Sequence, residues 1–295
     1  MTEFPEWIRR RWPSGHTFES TRHIIDKCGL NTVCVNARCP NIGECYARRH
    51  ATFLILGNAC TRSCAFCSVA HGTPQPVSDN EPERVARAAA EMELRHVVIT
   101  SVTRDDLPDG GADQFVRTIA ALRSALPQAA IEVLTPDFRG RAADIETVVD
   151  ACPDVFGHNV ETVPRLTSSI RNGAEYTRSL DVLVAARNAD MTKQLVIKSG
   201  LMVGMGERYD EVVGVLKDLR DVGCQIVTIG QYLRPGNGQV PVHEFVRPET
   251  FDMYREEGLK LGFADVAAGP FVRSSYRADE MLEAARKNAR QEEGI

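Results

Sequence analysis

Two groups of three cysteines carry the residue types and spacing of a metal site. They are Cys34, Cys39 and Cys45 in "CVNARCPNIGEC", and Cys60, Cys64 and Cys67 in "CTRSCAFC". Thiolates are soft ligands that select zinc, copper(I) or iron–sulfur clusters. A structural metal site is closed by four protein ligands, whereas a catalytic site leaves one position open. Each group therefore predicts a site with three protein ligands and one position left for something else.

The composition favours a cytoplasmic protein. The chain has 295 residues, 43% of them hydrophobic, and a net charge of −5, so it can build one barrel-sized core and has no bulk affinity for nucleic acid. The first residues include Glu3 and Glu6 and lack the apolar segment of a signal peptide. The longest apolar runs are strand-sized and far too short to span a membrane. Because the cytosol keeps thiols reduced, we expect no disulfides among the nine cysteines.

From residue 52 onward, strand-like and helix-like segments alternate. The strand-like segments are 52–57, 96–102, 130–135, 155–162, 194–204 and 225–233. Helix-like segments lie between them, and in one of these Phe115, Ile119 and Leu122 form a single apolar stripe. Six strand–helix units with strands that are apolar throughout indicate a parallel sheet covered by helices. The sequence therefore predicts an α/β fold, a partial (β/α)6 barrel of the TIM type.

The second cysteine group follows the first strand, in the loop where such a barrel places its chemistry. We predict three parts: an N-terminal extension (1–50) with the first group, the barrel (51–265), and a C-terminal segment (266–295) that closes on it. The extension has little apolar content, so we expect it to fold around its own metal centre.

The pattern Cys-x3-Cys-x2-Cys in the first βα loop, with Phe66 before its last cysteine, resembles the motif of the radical S-adenosylmethionine (SAM) superfamily. The resemblance implies a catalytic [4Fe–4S] cluster held by Cys60, Cys64 and Cys67, with SAM on its free iron. It also implies reductive cleavage of SAM to a radical that removes hydrogen from unactivated carbon. The alternative is a zinc ribbon that uses both groups, but the two Cys-x2-Cys hairpins typical of zinc knuckles are absent.

The two cysteine groups together resemble the lipoyl synthase family. So do "VLTPDF" (133–138), "HNVETV" (158–163), "KSGLMVGMGE" (198–207), "GQYLRP" (230–235) and "GPFVRSSY" (269–276), and the likeness runs from residue 31 to 276. The family inserts sulfur at C6 and C8 of an octanoyl chain on a lipoyl carrier protein. The resemblance implies a second, auxiliary [4Fe–4S] cluster on Cys34, Cys39 and Cys45, which is the sulfur source.

The same resemblance implies partners and further site residues. The partners are the octanoylated carrier, an electron donor such as a ferredoxin or flavodoxin, and an iron–sulfur cluster assembly or carrier protein. A serine of the "RSSY" motif ligates the auxiliary cluster in this family. Ser274 and Ser275 are both candidates, and we favour Ser275 as the metal ligand. The other serine is then available to cap the last helix.

Three residues are expected to bind SAM. The segment "GHNVET" resembles one in biotin synthase that binds the ribose hydroxyls of SAM, which assigns this role to Asn159 and Glu161. Lys198 lies in an otherwise apolar strand, and a buried lysine needs an anionic partner. That partner is a carboxylate either of SAM or of another residue, and we assign Lys198 to the cofactor.

Two other functions stay open from the sequence. One is a different radical SAM enzyme that inserts sulfur or removes hydrogen with an auxiliary cluster. The other is a metal-binding or electron-transfer protein without a substrate. Electron-transfer proteins bury clusters with four protein ligands, so two sites with three cysteines argue against this second function.

Overall fold

The computed structural model of the protein describes residues 4–9 and 15–292. Its strands are β1 (Asn31–Thr32), β2 (Thr52–Ile55), β3 (Ala59–Cys60), β4 (Ala70–His71), β5 (His96–Ser101), β6 (Ala130–Leu134), β7 (Val155–Gly157), β8 (Val196–Val203), β9 (Ile226–Gln231) and β10 (Asp265–Gly269). Its α-helices are α1 (His16–Lys27), α2 (Val33–Asn36), α3 (Ile42–Ala47), α4 (Glu81–Glu91), α5 (Ala112–Ala125), α6 (Ala142–Asp150), α7 (Pro164–Ile170), α8 (Tyr176–Ala189), α9 (Tyr209–Asp221), α10 (Pro248–Lys260) and α11 (Ala278–Glu292). None of the helices in these two ranges combines the length and apolar character needed to cross a bilayer.

One eight-stranded sheet organises the molecule, in the order β1-β2-β5-β6-β7-β8-β9-β10. All neighbours pair in parallel except β1, which runs antiparallel to β2 at one edge. The sheet does not close, so the predicted α/β partial barrel is confirmed. The six expected strands form, although the fourth ends at Gly157 instead of continuing to residue 162.

Two strands of this sheet were missed by the sequence interpretation. β10 reads "DVAAG", a short segment of small residues without the β-branched enrichment that identifies a strand. β1 has two residues. Both strands form because a neighbour offers unpaired backbone groups, which is information that no local pattern contains.

Helices cover the outer face of the sheet, as the apolar stripe of α5 predicted. Phe115, Ile119 and Leu122 are fully buried in the main core, together with outward-facing strand residues such as Ile99 and Val133. Burying a side chain of this size contributes roughly 1.5–3 kcal/mol. This layer fixes the strands, and with them the positions of the loops at their carboxyl ends.

The C-terminal helix α11 packs against the inner face of the sheet. Met281, Leu282 and Ala285 form a separate apolar cluster with Val98 and Val155 of the strands. These strand positions lie toward the amino ends, so α11 fills that half of the partial barrel. The inner face near the carboxyl ends is left for a cavity.

The N-terminal segment shares the main core instead of standing alone. Phe18 of α1 packs against Tyr46 of α3, with ring centroids 5.7 Å apart. The Tyr46 hydroxyl hydrogen-bonds Thr32 Oγ1 at 2.9 Å, and Phe18, Tyr46 and Cys34 belong to the same apolar cluster as the strands. The sheet therefore supports this segment, while the domain boundaries at residues 50 and 265 stay a prediction.

Candidate active site

The second cysteine group lies on the loop between β3 and β4. Cys60 ends β3 and accepts a backbone hydrogen bond from Gly72, and Cys67 N donates to Cys64 O at 3.1 Å. All three cysteines are half-buried and line a cavity of about 260 Å³. Burial raises the pKa of Cys64 to about 11 and also raises the pKa of Cys67. Deprotonation of these thiols is therefore coupled to the binding of positively charged iron.

Arg62 anchors this loop to the barrel, a role that the sequence interpretation missed. Its Nε and Nη2 donate to Asp105 at 2.7 and 2.9 Å, and its Nη1 and Nη2 donate to Asp137 at 2.9 and 2.8 Å. Two forked arginine–carboxylate pairs fix orientation as well as position. The position of Arg62 between two cysteines of a predicted metal-binding loop was the sequence feature that could have indicated this role.

The first cysteine group is held by two short helices. Cys34 lies on α2, Cys45 lies on α3, and Cys39 lies between them with its backbone N–H donating to Cys34 O at 2.9 Å. Burial raises the pKa of Cys34 to about 12, and the neighbouring Cys39 and Cys45 add to the effect. The three thiols therefore lie close enough to influence one another, as a shared site requires.

The first cysteine group and Cys67 of the second line one chamber of about 320 Å³, which we call the central chamber. Its lining includes Cys34, Cys39, Cys45, Cys67, Asn159, Glu161, Ser274 and Ser275, with apolar walls from Phe66, Val98, Leu134, Leu201, Met202 and Tyr232. A direct contact also joins the two cysteine loops, since Ser68 Oγ donates to Asn36 O at 3.0 Å. The fold thus places two cysteine groups from separate segments around a single, largely apolar space.

The two neighbouring serines face different parts of this chamber. Ser275 Oγ accepts a hydrogen bond from Thr52 Oγ1 at 2.7 Å. The backbone of Thr52 lies close enough to the Cys34 thiol to oppose the rise of its pKa. Ser274 Oγ instead accepts from Asn159 Nδ2 at 2.6 Å. Ser275 therefore lies on the side of the first cysteine group, whereas Ser274 is held by Asn159.

Asn159 and Glu161 lie together at the carboxyl end of β7, where they line both cavities. Asn159 Nδ2 donates to Glu161 Oε1 at 3.1 Å. Burial raises the pKa of Glu161, and the cationic Arg171 opposes that effect. Glu161 has a φ of 64°, a conformation that costs a non-glycine residue on the order of 1 kcal/mol and is concentrated at functional sites. An amide and a carboxylate held this way are suited to a pair of hydroxyl groups.

The assignment of Lys198 to the cofactor needs correction. Lys198 Nζ donates to Glu132 Oε1 at 2.7 Å, and both side chains are 3% exposed. Glu132 also contacts His96 Nε2 at 3.2 Å. Lys198 lines neither cavity, because it lies near the amino end of β8, away from the loops that carry the cysteines. Of the two anionic partners considered, the structure therefore provides the carboxylate of a residue.

The arrangement of the cysteines suits clusters better than a single metal ion. Throughout the part of the chain that the structure describes, no three His, Cys, Asp or Glu side chains converge on one ion-sized point. Tetrahedral zinc holds its sulfur ligands at 2.3 Å, and so about 3.8 Å from one another. A cubane gives each thiolate its own iron and accepts wider spacing. Three thiolates, with one position left open, are the donor set that a [4Fe–4S] cluster with one free iron requires.

Comparisons with known proteins agree with this geometry. Residues 54–230 match the Radical SAM superfamily. The chain is 54% identical to the lipoyl synthase of Caldanaerobacter subterraneus, over 96% of this chain and 98% of that protein. It is 51% identical to the lipoyl synthase of Rubrobacter xylanophilus, over 97% of this chain and 88% of that protein.

Solved structures show the same fold at low sequence identity. Methylornithine synthase matches with a TM-score of 0.55 and 14% identity, over 88% of this chain and 75% of that one. The hydrogenase maturase HydG matches with a TM-score of 0.56 and 14% identity, over 91% and 75%. These structural matches support the partial-barrel fold and carry no information on the substrate.

The open parallel barrel, with a three-cysteine loop after its first parallel strand, defines a radical SAM enzyme, which uses SAM and [4Fe–4S] clusters. Within that superfamily, the chain belongs to the lipoyl synthase family, a family of sulfurtransferases.

Proposed function

We propose that this enzyme inserts one sulfur atom at C6 and one at C8 of an octanoyl chain, which is amide-linked to a lysine of a lipoyl carrier protein. The single observation that carries the proposal is the central chamber, whose lining contains cysteines of both groups. A substrate carbon in this space is within reach of both a hydrogen-abstracting site and a sulfur source. The apolar walls suit a saturated acyl chain.

The second cysteine group binds the catalytic cluster in this proposal. With SAM bound there, the site supplies a 5′-deoxyadenosyl radical that removes hydrogen from the acyl chain. Asn159 and Glu161 hold the ribose hydroxyls of SAM, with Asn159 also tied to Ser274. Arg62 keeps the cysteine loop in place through Asp105 and Asp137. The apolar walls exclude water and limit side reactions of a reactive species.

The first cysteine group holds the sulfur substrate, the auxiliary cluster. Ser275 is the weak fourth ligand, since its hydroxyl lies beside Thr52 and thereby beside Cys34. An oxygen ligand binds a soft iron–sulfur cluster less firmly than a thiolate does. This weakness lets the corner iron leave when the cluster gives up sulfur.

The proposal includes three kinds of protein partner. They are the octanoylated carrier as substrate, an electron donor such as a ferredoxin or flavodoxin, and a protein that assembles or delivers iron–sulfur clusters. The proposal also includes a cytoplasmic location for the enzyme.

The experiment is an anaerobic reaction of the reconstituted enzyme with octanoylated carrier, SAM and reductant. We expect about one lipoyl group per chain, because a cubane that donates two sulfides no longer holds its iron. An intermediate with one sulfur should appear first and remain attached to the enzyme, since the two carbons are activated in turn. Sustained turnover without an added cluster donor would show that sulfur comes from elsewhere. Formation of 5′-deoxyadenosine without any lipoyl product would favour a different sulfur-inserting enzyme.

A further inference from the structure

The central chamber is bordered by three chain segments that touch one another. Residues 36–38 follow Cys34, residues 65–68 surround Cys67, and residues 234–240 follow β9. Arg38 Nη1 donates to Pro235 O at 3.0 Å, and Gln239 Nε2 donates to Cys67 O at 3.1 Å. Together with the contact from Ser68 to Asn36, these bonds join the three segments into one rim.

Two exposed arginines on this rim, which also belong to the lining of the central chamber, are held by backbone carbonyls and not by carboxylates. Besides the bond from Arg38 to Pro235, Arg234 donates from Nε to Gln239 O at 2.8 Å and from Nη2 to Asn237 O. Over residues 4–9 and 15–292, neither guanidinium forms an ion pair. The backbone bonds therefore orient these two positive charges without neutralising them. By contrast, Arg62, which lies between Cys60 and Cys64, is paired with two aspartates.

The backbone at Arg38 has a conformation that favours glycine. Arg38 has a φ of 50°, in the left-handed region. This conformation costs an L-residue about 1–2 kcal/mol, and glycine adopts it freely. The position thus carries a long cationic side chain where glycine would cost less.

We propose that Arg38 and Arg234 are a docking site for carboxylates of the octanoylated carrier protein, next to its modified lysine. This proposal rests on the proposed function. The chamber encloses an acyl chain and a lysine arm, so the body of the carrier must stay outside and meet the rim. Uncompensated positive charge there attracts an acidic surface and orients it during encounter.

The test compares two substrates that differ only in the body of the carrier. They are the octanoylated carrier protein and a short neutral peptide containing octanoyl-lysine. In Arg38→Glu and Arg234→Glu, we expect KM for the carrier to rise about tenfold, with kcat and the reaction of the peptide within about twofold of the original enzyme. Calorimetric binding of the carrier should weaken by the same factor. Raising salt should weaken carrier binding by the original enzyme and have less effect on the variants.

Arg87→Glu is the matched control, because Arg87 is an exposed arginine on the outer helix α4. It should leave carrier binding and KM unchanged. An equal loss with carrier and peptide would mean that the arginines act inside the chamber, and an unchanged KM for the carrier would remove them from docking; either result overturns the proposal. A loss confined to reloading of the auxiliary cluster from a donor protein would also overturn it and assign the rim to that donor. The absence of lipoyl product from the original enzyme would instead refute the proposed function. The calorimetric binding of the carrier would still test whether Arg38 and Arg234 form a docking site.

Discussion

Thr52 Oγ1 donates a 2.7 Å hydrogen bond to Ser275 Oγ, across 223 positions of the chain. Thr52 begins the first parallel strand, and Ser275 lies on the loop between β10 and α11. The backbone of Thr52 also contacts the Cys34 thiol. A hydroxyl from the end of the chain is thereby placed beside a cysteine group from its beginning.

The first prediction concerns Ser275 as a cluster ligand. Ser275→Cys exchanges a weak oxygen ligand for a thiolate, which binds iron more firmly. We expect the auxiliary cluster to persist and lipoyl formation to fall at least tenfold, because the corner iron no longer leaves. Iron content and product per chain are the measurements. The control is Ser274→Ala, which should keep the auxiliary cluster; normal product from Ser275→Cys with loss from Ser274→Ala would move the ligand to Ser274.

The second prediction separates the two cysteine groups. Replacing Cys60, Cys64 and Cys67 by alanine should abolish formation of 5′-deoxyadenosine and leave about four irons per chain. Replacing the other three cysteines should preserve cleavage of SAM and abolish sulfur insertion. The two products are measured together by chromatography. Lipoyl product from the second triple variant would contradict the assignment of the sulfur source.

The third prediction concerns Gly200, which lies beside the Asn159 side chain. A Cβ at this position would overlap Thr228 Oγ1 and lie 3.0 Å from Asn159 Oδ1. In Gly200→Ala we expect displacement of Asn159 and a loss of SAM affinity of about tenfold, measured by calorimetry on the reconstituted enzyme. In the control Gly214→Ala, the added methyl meets nothing within 4 Å on a helix. That change should stabilise the protein by about 0.5–1 kcal/mol and leave SAM binding unchanged. Unaltered SAM affinity in Gly200→Ala would exclude Asn159 as a ligand.

The fourth prediction tests the buried pair of Lys198 and Glu132. Lys198→Met leaves a buried carboxylate without its main partner, so we expect a loss of about 3–5 kcal/mol in the free energy of unfolding. The folded variant should bind SAM normally, because Lys198 lines neither cavity. Adding Glu132→Gln should recover part of the stability. Loss of SAM binding without loss of stability would restore the cofactor role.

The same pair gives a pH dependence with a definite sign. Burial by itself raises the pKa of Glu132, but Lys198 and His96 outweigh it and hold that pKa below its usual value. The ionised pair therefore stabilises the native protein above the ordinary glutamate pKa, and this contribution is lost as pH falls through the lowered one. In Lys198→Met burial dominates and the pKa of Glu132 rises, so its protonated form is favoured. The stability gap between the two proteins should narrow from pH 7 to pH 5 in urea unfolding, and a constant gap would contradict this account.

Local patterns were sufficient for the parts of the fold that depend on neighbours in sequence. The stripe of Phe115, Ile119 and Leu122 predicted the buried face of α5, and six apolar runs predicted six parallel strands. The sequence did not predict elements whose formation depends on distant partners, such as the strand β10. The packing of α11 also depends on distant partners, because its few apolar residues meet the inner face of the sheet only after folding.

By itself, the sequence determined the chemistry, because a cluster motif is a matter of residue type and spacing along a short loop. The cysteines are visible in that way, whereas the serine pair and the segment with Asn159 and Glu161 were indicated by the resemblance to known families. Only the tertiary structure decided which groups meet. It brought Cys67 to the same chamber as the first cysteine group, paired Ser274 with Asn159 and Ser275 with Thr52, and gave Lys198 to Glu132. The physical reason is that a buried polar group takes whichever partner the packed sheet places within reach, and that partner lies tens or hundreds of residues away in the chain.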